Sequence, residues 1–173
     1  MNASGEIDTA RLAAALWAHG VHILRLPDGE ASEPPAMSPA DLVVALVGHP
    51  QARLRDAAPA AIVAASQDAP SIRAAGDGLG EAPKARFRAL YTIAACLQRQ
   101  WWTRLRLSLP GMARLEDAYA GVLELPSADT RHGRECLAAM DPALVGSCGE
   151  AFRIFLEEME REQRLVAASR GRA

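Results

Sequence analysis

Aromatic side chains are scarce in this sequence: three tryptophans, two tyrosines and three phenylalanines make up 5% of 173 residues. A core with so few rings is closed by small residues, and alanine supplies much of the 50% apolar share. Such a core suits closely approaching helices with a few large anchors, for which Trp17, Phe87, Tyr91, Trp101, Phe152 and Phe155 are the candidates. Cysteine is nearly absent. Cys96, Cys136 and Cys148 form an odd set without a C-x-x-C, which excludes a disulfide framework and reads as reduced thiols. The first twenty residues carry Glu6 and Asp8 and no basic run, so a secretory leader is not expected. No apolar run approaches the roughly 20 residues that a membrane helix needs. The expectation is a soluble, cytoplasmic protein of one domain, residues 1–173.

Reaction motifs are missing too. Gly76-Asp77-Gly78-Leu79-Gly80 has the glycine content of a phosphate loop, but no G-K-[ST] follows and no strand precedes it. There is no G-x-S-x-G and no H-E-x-x-H, and no D-x-D follows Gly146-Ser147. The expectation is a protein without catalytic residues, cofactor or metal.

What the chain does have is charge polarity. Lys84 to Leu115 carries Lys84, Arg86, Arg88, Arg99, Arg104, Arg106 and Arg114, no acid, and the pair Trp101-Trp102. Glu116 to Glu162 then holds eleven acids against four arginines, within a chain of net charge -2. Polarity of this kind suits a protein that meets a partner.

Periodicity predicts an all-α fold of about seven helices. The first covers about 6–19, capped by Ser4, with Ile7, Ala10, Ala14 and Trp17 on one face. Residues 21–26 are the only plausible strand, with nothing to pair with, and 27–37 read as a loop. Ser38-Pro39-Ala40-Asp41 opens a helix to Gly48 with a cap, a first-turn proline and a first-turn acid. Another helix covers 50–66, kinked at Pro59. The glycine-rich 67–82 reads as a mobile loop. A long helix is expected over 83–108, with Phe87, Leu90, Tyr91, Ala94, Leu97, Trp101 and Leu105 on its core face. Shorter helices are expected over 112–124 and 128–140. The last runs from a capping box at Ser147-Cys148-Gly149-Glu150 to about Ser169, with Phe152, Phe155, Leu156, Met159 and Val166 inward and Glu157/Arg161 and Glu160/Arg164 paired outward.

Two resemblances add to this. Residues 40–65 (ADLVVALVGHPQARLRDAAPAAIVAA) resemble one HEAT-type repeat, an apolar helix, a His49-Pro50 turn and a helix carrying L-R-D-A-A. It implies HEAT-like right-handed helical hairpins, the alternative being a compact irregular bundle; no second copy is visible and Pro59 departs from the pattern. The blocks HPQARLRDAAP (49–59), LYTIAACLQRQWWTRLRLSL (90–109) and LELPSADTRHGRECL (123–137) together resemble small bacterial helical proteins encoded beside minimal nucleotidyltransferases. That resemblance implies an interaction module, the partner or antitoxin-like neutralising subunit of a two-protein complex, whose partner is a nucleotidyltransferase-like protein.

On a continuous helix Arg88, Arg99 and Arg106 fall on one line, with Lys84 and Trp102 beside it. That line is either a basic strip for phosphates or an acidic protein face, or a set of arginines that snorkel and pair with the acids downstream. Trp101 points to the core and Trp102 outward, as an interface residue would. The expected contact residues are Arg53, Arg55, Arg88, Arg99, Trp102, Arg104 and Arg106. The alternative is a nucleic-acid-binding subunit using 84–114. His132 and Cys136, four apart, share a face of the expected 128–140 helix, a spacing that metal sites use, though other ligands are lacking. Cys148 at a helix start is a candidate for a lowered thiol pKa. For both, the plainer reading is structural: a surface histidine, a buried thiol and a capping turn.

Overall fold

The computed structural model describes residues 3–24 and 36–170 and is all-α: no strand forms among them. Helix α1 covers Ala3–Ala18, α2 Pro39–Gly48, α3 Ala52–Asp56, α4 Ala58–Ala64, α5 Ala69–Asp77, α6 Glu81–Gln100, α7 Trp102–Ser108, α8 Arg134–Ala138 and α9 Pro142–Arg170. Helix α6 is the axis. From Phe87 to Arg99 it is buried almost all round, and α4, α5, α8 and α9 pack on it. One continuous core joins Leu12 and Leu16 of α1 to Phe152, Phe155 and Leu156 of α9. No helix among the described residues is long and apolar enough to cross a membrane.

Where local chemistry is explicit, the elements start where it says. Ser38 Oγ accepts the Asp41 N–H at 3.1 Å and Pro39 opens α2. Pro59 turns the expected kink into a break, ending α3 at Asp56 and sitting in the first turn of α4, where its missing N–H costs nothing. The segment resembling a HEAT repeat thus folds as α2 followed by a divided second helix. Residues 21–24 form no strand; 25–26, and all but 36–37 of the expected 27–37 loop, lie outside the described residues.

Several expectations are corrected. The 67–82 segment contains helix α5, not a mobile loop. Gly76 is there for contact: a Cβ on it would lie 2.1 Å from the Phe87 ring, so its missing side chain lets α5 seat on α6. Helix α1 begins at Ala3, leaving Ser4 inside it, and buries Leu12, Ala15 and Leu16. Trp17 therefore lies at the rim, 37% exposed, donating Nε1–H to the Leu24 carbonyl at 2.6 Å and stacking on His22 at 4.1 Å. The long helix breaks at Trp101 (φ -107°, ψ 17°).

No helix forms over 112–124, because side chains of α6 and Ser66 already bond its backbone. Gln98 accepts the Leu115 N–H and donates to the Ala113 carbonyl, both at 2.8 Å, and Ser66 Oγ accepts the Ala113 N–H at 3.2 Å. The 128–140 helix is reduced to a 3-10 turn, Thr130–Gly133, and the short α8. Helix α9 starts at Pro142, with Asp141 Oδ1 accepting the Ala143 N–H at 2.9 Å, so the Ser147–Glu150 box lies inside it. Along α9, Val166 is 49% exposed, Glu157 pairs with Arg153, and Glu160 with Arg104.

Candidate partner-binding cleft

The break at Trp101 builds the site. It turns the chain as α6 leaves the core, so both indoles stand half-buried beside the helix end. A cleft of about 510 Å³ opens there, lined by Arg99, Gln100, Trp101, Trp102, Thr103, Arg104, Arg114 and His132. That lining comprises three arginines, two tryptophans, a histidine, a glutamine and a threonine, and no acidic residue. A second hollow of about 480 Å³, lined by Arg131, His132, Arg134, Glu135 and Ala138, shares His132 with it.

Each cation is held differently. Arg99 is nearly buried and committed to the fold. Its Nε donates to Asp129 Oδ1, and its terminal nitrogens donate to the Ala95 and Leu115 carbonyls at 2.8 and 3.0 Å. It forms the cleft floor. Arg114 reaches the same Asp129 oxygen at 2.6 Å from a side chain 60% exposed. The two arginines hold the Asp129 carboxyl below its usual range, Arg99 most of all. Arg104 spends only Nε on Glu160, at 2.7 Å, and lies over the Trp101 ring at 5.0 Å, leaving its terminal N–H groups for a ligand.

His132 arrives by an unusual turn. Arg131 (φ 44°), His132 (φ 58°) and Gly133 (φ 82°) are left-handed in succession, and only the last is a residue for which that is unstrained. A helix here would have put His132 and Cys136 on one face. Instead His132 is exposed in the cleft and Cys136 is buried under α8. Among the described residues no three His, Cys, Asp or Glu side chains converge to hold a metal.

The structure thus brings together Arg99, Trp102 and Arg104, with Trp101 beside them, and separates the other expected contact residues. Arg88 lies earlier on α6, 3.6 Å from Asp77 and over the Tyr119 ring at 5.7 Å. Arg55 closes the α2–α3 turn through the His49 and Pro50 carbonyls at 2.8 and 2.5 Å. Arg53 and Arg106 are exposed on α3 and α7. No straight line through Arg88, Arg99 and Arg106 survives the break. Arg114 and His132 were not among the expected contacts; the sequence signal for His132 is the glycine after it, which permits a left-handed turn. Cys148, expected at a helix start, sits within α9, where burial pushes its thiol up to about 12.

No protein-family model, curated protein or solved structure matches this chain significantly.

Proposed function

We propose that this chain is a non-catalytic helical interaction module that seats an acidic segment of a protein partner in the Trp102 cleft. One observation carries the reading: the cleft is lined by three arginines and two tryptophans and by no acidic residue, and Arg104 and the exposed Arg114 each spend only part of their guanidinium on Glu160 and Asp129. Carboxylates of a partner satisfy the remaining N–H groups of Arg104 and Arg114, and an apolar side chain covers Trp102. Backbone tracking of a nucleic acid has less support, because the basic stretch is largely spent internally: Arg86 on the Val47 carbonyl, Arg88 on Asp77 and Arg99 on Asp129. The finer reading, the antitoxin-like subunit of a bacterial two-protein complex beside a nucleotidyltransferase-like protein, rests on the resemblance of residues 49–59, 90–109 and 123–137.

The test is co-purification of the tagged chain from its host, with Trp102→Ala and Arg114→Glu variants alongside. The expected result is a stoichiometric protein partner whose affinity falls at least about tenfold in either variant, at unchanged helical circular dichroism. Nucleic acid carried through without a protein, seen as excess absorbance at 260 nm, would overturn this in favour of the nucleic-acid reading.

A further inference from the structure

Two of the three thiols meet. Cys96 on α6 and Cys136 on α8 are both wholly buried, and each acts on the other's acidity, Cys96 being pushed up and Cys136 down. The contact depends on Gly133, where the backbones come so close that a Cβ would fall 2.7 Å from Cys96 Cα and 2.8 Å from its Cβ. One helical turn later α8 lays Cys136 on the same stretch of α6. Cys148 stands apart on α9 and serves as an internal control.

We propose that Cys96 and Cys136 form an oxidative modification site, which a peroxide-class oxidant closes into a disulfide that pins α8 to α6 and resets the adjoining cleft. The chemistry balances. The Cys136 thiolate attacks a peroxide oxygen, breaking the O–O bond to give a sulfenic acid and, with one proton, water. The Cys96 thiol, losing its proton, then displaces the sulfenic oxygen as a second water, so two thiols are oxidised as one peroxide is reduced. The mutual influence of the two thiols favours the thiolate at Cys136 and disfavours it at Cys96, which gives the pair an attacking and a resolving member. Entry is past α8. Helix α8 has five residues, of which Arg134 and Ala138 are exposed, and the strained Arg131-His132 turn leads into it.

Both cysteines flank the cleft in sequence. Arg99 follows Cys96 by three residues and His132 precedes Cys136 by four. Converting two free thiols to a bonded pair brings the sulfur separation to about 2.05 Å. That draws α8 inward and moves His132 against the indoles. The effect on partner binding rests on the reading proposed above; the cross-link and its effect on the tryptophans do not.

The experiment treats the native full-length protein with hydrogen peroxide, alkylates it under denaturing conditions, and maps it without reduction. The expected product has lost two hydrogens, confined to a linked pair of peptides carrying Cys96 and Cys136. Cys148 is alkylated in full, dithiothreitol restores the mass, and tryptophan emission shifts in the wild type but not in Cys136→Ser. The map needs no variant, so poor folding of Cys136→Ser leaves it decisive. Thiols that all stay reduced, isolated sulfinic acids, links through Cys148, or a Cys96–Cys136 link that leaves the emission unmoved would each overturn the proposal.

Discussion

Individual residues here are chosen as much for what they omit as for what they carry. Gly133 combines a left-handed φ with a backbone approach to Cys96 that no Cβ tolerates. Gly133→Ala is expected to destabilise the protein by at least about 2 kcal/mol, since overpacking and backbone strain add; chemical denaturation checks this. Tyr91 is the opposite case. Its ring is buried against Phe87 and Tyr119 while its hydroxyl has no hydrogen-bond partner among the described protein atoms. Tyr91→Phe removes an unsatisfied polar atom and keeps the ring, so the unfolding free energy is expected to stay within about 1 kcal/mol of wild type, on the stabilising side. A loss of several kcal/mol would show that the hydroxyl does have a partner.

Elements meet through a few charged latches, and the one at Asp129 joins the end of α6 to the 113–115 segment and the strained turn. Arg99→Ala is expected to cost about 2–3 kcal/mol, because it strips bonds from the Ala95 and Leu115 carbonyls as well as from the carboxylate. Arg106→Ala, on the exposed face of α7, is expected to cost less than about 0.5 kcal/mol. Acid has a defined sign at this latch. The folded-state pKa of Asp129 is depressed, so its contribution is fully present above the ordinary carboxylate range and fades as pH falls through the depressed value, below about pH 4. Thermal melts should therefore show a steeper acid-side loss for wild type than for Asp129→Asn. Parallel curves would remove the latch from the acid response.

Across the whole molecule, α9 reaches past the core. Met159 is its last buried residue, and 161–170 are exposed throughout. Glu162 and Gln163 still reach His22, Ser108 and Leu107, whereas Leu165 and Val166 stand 64% and 49% exposed. Ending the chain after Arg164 is expected to change stability by less than about 1 kcal/mol and to leave partner binding at the Trp102 cleft intact. Loss of binding on that truncation would move the docking surface to the end of α9.

The sequence by itself determined the helical class, the cap and proline that open α2, an interruption at Pro59 (expected as a kink, found as a break), and the core face of α6 and of early α9, because caps, prolines and apolar spacing act within one or two turns. It also carried the polarity that ties arginines of 84–114 to acids downstream. Only the tertiary structure decided that a glycine-rich segment is a helix seated on Phe87, that 112–124 trades helical bonds for Gln98 and Arg99, and that Trp17 lies at the rim. Those outcomes turn on partners far along the chain, whose side chains satisfy backbone groups or occupy the space a Cβ would need, and nothing in local periodicity reports them. The cleft was half legible. Trp102, Arg99 and Arg104 stood out by composition, while Arg114 and His132 joined them through the break at Trp101 and the left-handed turn before α8, which reset direction in ways a continuous helix does not anticipate.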